Sequence, residues 1–177
     1  KNGIACSAKL LDYGLSITGN LITHNGSSVL VGRSAGGIKL LSLSYPTHAL
    51  GSGATIDGNT VSDNIGNGIW FDRTSSAGIV SNNVASGNSH YGIRCEKCAG
   101  PFLFDGNTVH DNGYAGITIH NSAASMRAIR NWRLTAQSIL TSRDSRTSCF
   151  CWTTITKPRS NLRKLFCKPR TCLTICN

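Results

Sequence analysis

The dipeptide Gly-Ile recurs at Gly68-Ile69, Gly92-Ile93 and Gly116-Ile117, at two steps of 24 residues. A fixed step of that size restricts a chain to stacking one small structural unit on the next. Each copy opens on an asparagine: Asn59, Asn82 and Asn107 align, followed by Val61, Val84 and Val109 and then by Asn64, Asn88 and Asn112. An earlier copy, ITGNLITHN, supplies Asn20, Ile22 and Asn25, but Asn20 stands 39 residues before Asn59. An insertion is therefore expected in that unit, most simply in GSSVLVGRSAGG ahead of Ile38. The upstream LLDYG is a candidate partial rung.

Each unit reads as short strands joined by Gly/Asn turns. TIDGN and LFDGN alternate in polarity toward a turn, and GIWFD and GITIH alternate out of one. No unit is long enough to bury its own apolar face, whereas stacked units bury a continuous Ile/Val/Phe column. Asparagine suits the corners because it tolerates left-handed backbone, and stacked asparagines form an amide ladder. The expected fold is all-β, a parallel solenoid with about four recognisable rungs over residues 15–122, within a domain spanning 1–122.

Composition divides the chain. Residues 1–125 carry seven Lys/Arg against seven acids, and residues 126–177 carry eleven against one, so the whole net charge of +10 lies in the tail. All 19 glycines lie at or before Gly116, and five of the eight cysteines lie in the tail. Residues 123–177 therefore read as a separate basic, Cys-rich segment. SMRAIRNWRLTAQSILTSRDSR suggests a short basic helix, and the remainder shows no rung spacing. The tail is read three ways: a cysteine-stapled cap, a basic arm for nucleic acid or membrane, or an out-of-frame translation of further rungs. The abrupt loss of glycine and acids favours the third. A start at Lys1 suggests a processed chain or a fragment, and no apolar run reaches the length of a membrane span.

The GN-x-V-x-x-N…GI pattern resembles the right-handed parallel β-helix repeat family, of pectin-lyase-like fold, over about residues 15–122. NGIWFDRTS followed by YGIRCEKC is similar to a secreted bacterial branch in which an aromatic-acid pair precedes a Glu, matched here by Trp70, Asp72 and Glu96. The resemblance implies a secreted or cell-surface protein and a polysaccharide partner. It leaves lyase, hydrolase and binding-only roles open, because one coil supports many activities. A DPHE-type epimerase motif and the nonapeptide calcium repeat are both absent.

Strand parity locates the candidate site. Ile69, Ile93 and Ile117 should point inward with Phe71, Cys95 and Ile119. The alternate residues then form two outward columns, Trp70–Arg94–Thr118 and Asp72–Glu96–His120, with rungs about 4.8 Å apart. An exposed Trp70 would offer a platform for a sugar face, and Arg94 a bidentate grip on a uronate carboxylate. Neighbouring Asp72 and Glu96 would repel, raising one pKa as acid/base work requires, at a separation of about 5 Å that suits a retaining hydrolase. In a lyase the two would hold Ca²⁺ while Arg94 or His120 took a proton. Calcium needs six or more oxygens and two side chains are in view, so no cofactor is expected. The competing reading is a solvated face whose charges pair between rungs, and it is the favoured one.

Other residues carry weaker signals. Cys95 and Cys98 form a lone C-x-x-C without a second pair for zinc, so Cys95 reads as buried filler. His24, His48, His90 and His110 sit in turns and are expected to face solvent, with His110 and Asp111 available to extend a ligand surface. The asparagines read as ladder and turn residues before glycan-binding amides. GRSAGG lacks the lysine and helix of a phosphate loop. The leading function is a protein acting on or binding a polysaccharide through Trp70, Asp72, Arg94, Glu96, Thr118 and His120. Its alternative is a non-catalytic surface solenoid, with nucleic-acid binding through the tail third.

Overall fold

The computed structural model describes residues 2–7, 14–27, 36–44 and 53–122, and the backbone of strands Met126–Ile129, Ile139–Thr141 and Cys149–Phe150. Among the described residues every regular element is a strand, and the strands pair in parallel in three sheets. The first sheet stacks Ile4–Ser7, Gly36–Leu41, Asn67–Asp72, Tyr91–Glu96, Ala115–His120 and Ile139–Thr141. The second stacks Ser16–Thr18, Ala54–Asp57, Gly78–Ser81, Phe102–Asp105, Met126–Ile129 and Cys149–Phe150. The third stacks Leu21–Thr23, Thr60–Ser62, Val84–Ser86 and Thr108–His110. The chain visits the second, third and first sheets in turn and then begins the next rung, which makes a solenoid.

The core is a set of columns along the axis. Ile17, Ile56, Val80 and Phe104 align in the second sheet, and Ile22, Val61, Ala85 and Val109 in the third. Ile38, Ile69, Ile93 and Ile117 align in the first sheet beside Leu40, Phe71, Cys95 and Ile119. All of these are buried in one cluster. The inward parity read from the sequence is the parity of the fold.

Each rung turns three corners, and each corner opens on one left-handed residue followed by one inward side chain; at the first two corners that side chain is an asparagine that bonds along the stack. The pairs at the first corner are Gly19-Asn20, Gly58-Asn59, Asn82-Asn83 and Gly106-Asn107. At the second they are His24-Asn25, Asp63-Asn64, Gly87-Asn88 and Asp111-Asn112. At the third, Ser42, Arg73, Lys97 and Asn121 are left-handed, ahead of Leu43, Thr74, Cys98 and Ser122. Two amide ladders result. Asn59 Nδ2 donates to Asn83 Oδ1 at 3.0 Å, and Asn83 Nδ2 to Asn107 Oδ1 at 3.0 Å. Asn64 donates to Asn88 at 2.9 Å and Asn88 to Asn112 at 3.0 Å. The same amides donate to main-chain carbonyls of the preceding rung, as Asn83 does to Ile56 O at 2.9 Å.

Three expectations change here. The ladder residue is Asn83, not Asn82, and Ala85, not Val84, occupies the inward position of Val61 and Val109. Asn82 takes the left-handed position (φ 53°) that glycine holds in neighbouring rungs, which is why the two asparagines of SNN were open to confusion. The insertion is divided between two corners. Gly37 aligns with Gly68 and Ala54 with Gly78, so extra residues enter both between Asn25 and Gly37, as expected, and between Leu43 and Ala54. The strand preceding these rungs is Ile4–Ser7, and residues 10–13 of LLDYG lie outside the described residues. Beyond Ser122, Met126–Ile129 is a strand on Phe102–Asp105, one step of 24 further on, where a basic helix was expected. The remaining readings of the tail lie largely outside the described residues.

Candidate functional site

The two outward columns assemble as parity requires. Arg94 aligns with Trp70 on one side and Thr118 on the other, and Glu96 with Asp72 and His120. The preceding rung adds Lys39 beside Trp70 and Leu41 beside Asp72. Lys39 escapes a search at the common step because its rung carries the insertions, although GGIKLL repeats the Gly-Ile signal.

The environment of these side chains differs from an open platform. Trp70 is only 3 % exposed. Lys39 Nζ sits 3.7 Å from the indole centroid and the Arg94 guanidinium carbon 5.1 Å from it. The indole is thus the middle of a cation–π column, and the expected role of Trp70 as a sugar platform does not hold. Thr118 is buried too.

Each carboxylate has a cation of its own. Asp72 Oδ2 lies 3.4 Å from Lys39 Nζ and its Oδ1 lies 3.7 Å from Arg73 Nε, while Arg94 Nη2 meets Glu96 Oε1 at 3.0 Å. The repulsion foreseen between two bare carboxylates is therefore offset within the face. A calcium ion fits this set poorly: both carboxylates already answer cations, and no group of three His, Cys, Asp or Glu side chains converges among the described residues. His120 is half-buried beside Asn121, at 3.2 Å between Nε2 and Nδ2.

Cys95 and Cys98 form a disulfide across the third corner, so Cys95 is a cross-link as well as filler. His24 is exposed, and His110 is bonded through Nδ1 to Asp111 Oδ2 at 2.7 Å. His48 lies outside the described residues. His90 departs from expectation: it is buried, and it stacks on Tyr114 with ring centroids 4.8 Å apart at 25°. Tyr91 meets Tyr114 edge-on at 5.4 Å and lies 5.1 Å from the Arg94 guanidinium carbon. An aromatic cluster thus joins the charged face at Arg94. It was legible as Gly66, His90 and Tyr114 at the common step.

Burial first, and the charge of Arg94 second, lower the His90 pKa from the ordinary 6.5. The unfolded chain takes up a proton near that pH which the folded chain resists. The stability contributed by neutral His90 is therefore complete above about pH 6.5 and is lost as pH falls toward the lowered value. Melting temperature should drop between about pH 7.5 and 5.5, and the drop should shrink in His90→Gln. An unchanged slope in that variant would assign it to another group.

A family model described as right handed beta helix region matches residues 1–132. No curated protein and no solved structure matches the chain.

Proposed function

We propose, for a chain that belongs to the right-handed beta helix family, that it is a polysaccharide-binding solenoid whose polymer lies along the outward face of the first sheet. One observation carries this reading. The corners and core repeat from rung to rung, whereas the outward columns change: Lys39, Trp70, Arg94, Thr118 in one and Leu41, Asp72, Glu96, His120 in the other. A linear polymer along the axis meets the half-buried members of these columns, Leu41, Arg94, Glu96 and His120, on rungs about 4.8 Å apart. Arg94, half-buried and set beside Glu96, supplies the guanidinium for an acidic glycan.

Binding is favoured over turnover because Asp72 and Glu96 are both held by cations. A lyase or retaining-hydrolase reading keeps support from the register that sets the two carboxylates side by side. Secretion or surface display belongs to the same proposal, as does the likeness to a secreted bacterial branch at Trp70, Asp72 and Glu96. The Cys95–Cys98 disulfide suits an oxidising compartment. No helix among the described residues is long and apolar enough to cross a membrane.

The test is a panel of pectins, alginates and neutral glycans, scored for retention of the protein, for ultraviolet absorbance of unsaturated ends and for released reducing ends. Retention without either product is expected, weakened in Arg94→Ala. New unsaturated or reducing ends would move the assignment to a lyase or a hydrolase. A protein retained by none of the polymers would end the proposal.

A further inference from the structure

The aromatic platform expected at Trp70 is closed, yet the same face carries another. Tyr114 is 52 % exposed, while the His90 ring stacked against it is 6 % exposed. One face of the phenol ring is thus backed by a buried imidazole, and the Tyr91 ring meets it at 5.4 Å, inclined by 62°. Had the stack served packing alone, both rings would gain by being covered. Here the buried ring fixes the plane of an open one, so little side-chain freedom remains to be lost when a ligand stacks there.

We propose that Tyr114, braced by His90 and Tyr91, is a sugar-stacking subsite that takes the apolar face of one pyranose ring of the polymer, at the margin of the charged strip. The inference rests on the polysaccharide reading and deepens it.

The neighbourhood argues for a sugar in preference to an apolar partner. Tyr91 meets both Tyr114 and Arg94, and Arg94 is paired with Glu96 at 3.0 Å. Any ligand that covers Tyr114 and continues across the face meets a guanidinium–carboxylate pair. An apolar peptide would strand those charges. A pyranose presents C–H groups to the ring and hydroxyls at its rim, which answers both surfaces. The position falls in the turn between the third and first sheets, so a polymer on the first sheet reaches it at its edge.

The experiment uses the full chain and the polymer that the wild type retains best. Tyr114→Ala should weaken retention by at least about fivefold, since aromatic stacking of this kind contributes on that order. Tyr114→Phe should bind as the wild type does, because the ring and not the hydroxyl carries the contact. Tyr114→Phe should melt close to the wild type, and Tyr114→Ala should stay folded with a melting temperature lower by a few degrees, since it gives up the stack on His90. In a titration with short oligosaccharides, the Tyr114 ring protons should shift more than those of Trp70. Wild-type retention by Tyr114→Ala would overturn the subsite and leave the polymer-binding reading standing. Loss of self-association in Tyr114→Ala with retention unchanged would reassign the ring to a contact between copies. Failure of the wild type to bind any polymer would overturn both.

Discussion

Replacing Asn83 by alanine should lower the melting temperature by about 10 °C, corresponding to about 3 kcal/mol or more, whereas Asn82→Gly should stay within about 0.5 kcal/mol of the wild type. The two residues are adjacent and chemically identical, and the fold gives them opposite roles. The Asn83 amide donates to Asn107 Oδ1 and to Ile56 O, and its Oδ1 accepts from both the main-chain and side-chain nitrogens of Asn59. Truncation leaves a buried carbonyl and buried N–H groups without partners in two rungs at once, and each such group costs about 1–3 kcal/mol. Asn82 is exposed at φ 53°, and its side chain makes a surface bond to Asp57 at 2.9 Å. Glycine adopts that backbone without strain, which offsets the lost contact. Thermal melts of the two variants decide the register. Near-wild-type stability in Asn83→Ala, with collapse in Asn82→Gly, would shift the first-corner ladder of this rung by one residue.

That ladder also marks the limit of what the sequence made legible. The step of 24, the inward Ile columns and the outward pairing of Trp70 with Arg94 and Asp72 with Glu96 follow from spacing and parity, because a strand's side chains alternate. Register within SNN does not follow, since asparagine and glycine both occupy left-handed positions and two asparagines in a row satisfy either alignment. Parity gives a direction but not an exposure. Trp70 points off the core and is nonetheless buried, covered in part by Lys39 and Arg94, and Lys39 was hidden because its rung is lengthened at two corners. The Cys95–Cys98 bond depends on how tightly the third corner folds, which spacing alone leaves open. His90 and Tyr114 were visible at the common step, but turn residues were assumed to face water singly, and a ring-to-ring stack lets one be buried while the other stays open.

Asp72→Ala should destabilise the chain by about 3 kcal/mol, for a reason that has nothing to do with chemistry on a sugar. Asp72 and Lys39 are each 8 % exposed and meet at 3.4 Å, with the Lys39 ammonium also over the Trp70 ring. Removing the carboxylate takes an opposite charge from beside a largely buried ammonium, and losing one member of such a pair costs about 3–5 kcal/mol. Arg73 contributes less, because its side chain is 66 % exposed and an exposed pair is worth about 0–1 kcal/mol. Removing both charges should reverse the loss: Lys39→Met with Asp72→Leu replaces the pair by apolar side chains and should melt at or above the wild type. The double variant therefore separates stability from function. If polymer retention or turnover is lost in Asp72→Ala and returns in the double variant, Asp72 acts through the fold alone. If it stays absent while melting is restored, Asp72 or Lys39 touches the polymer, and Lys39→Met alone, assayed at a temperature where it is folded, tells which. If Asp72→Ala melts with the wild type, the pair is not buried as described, and the carboxylate regains its standing as a free acid or base.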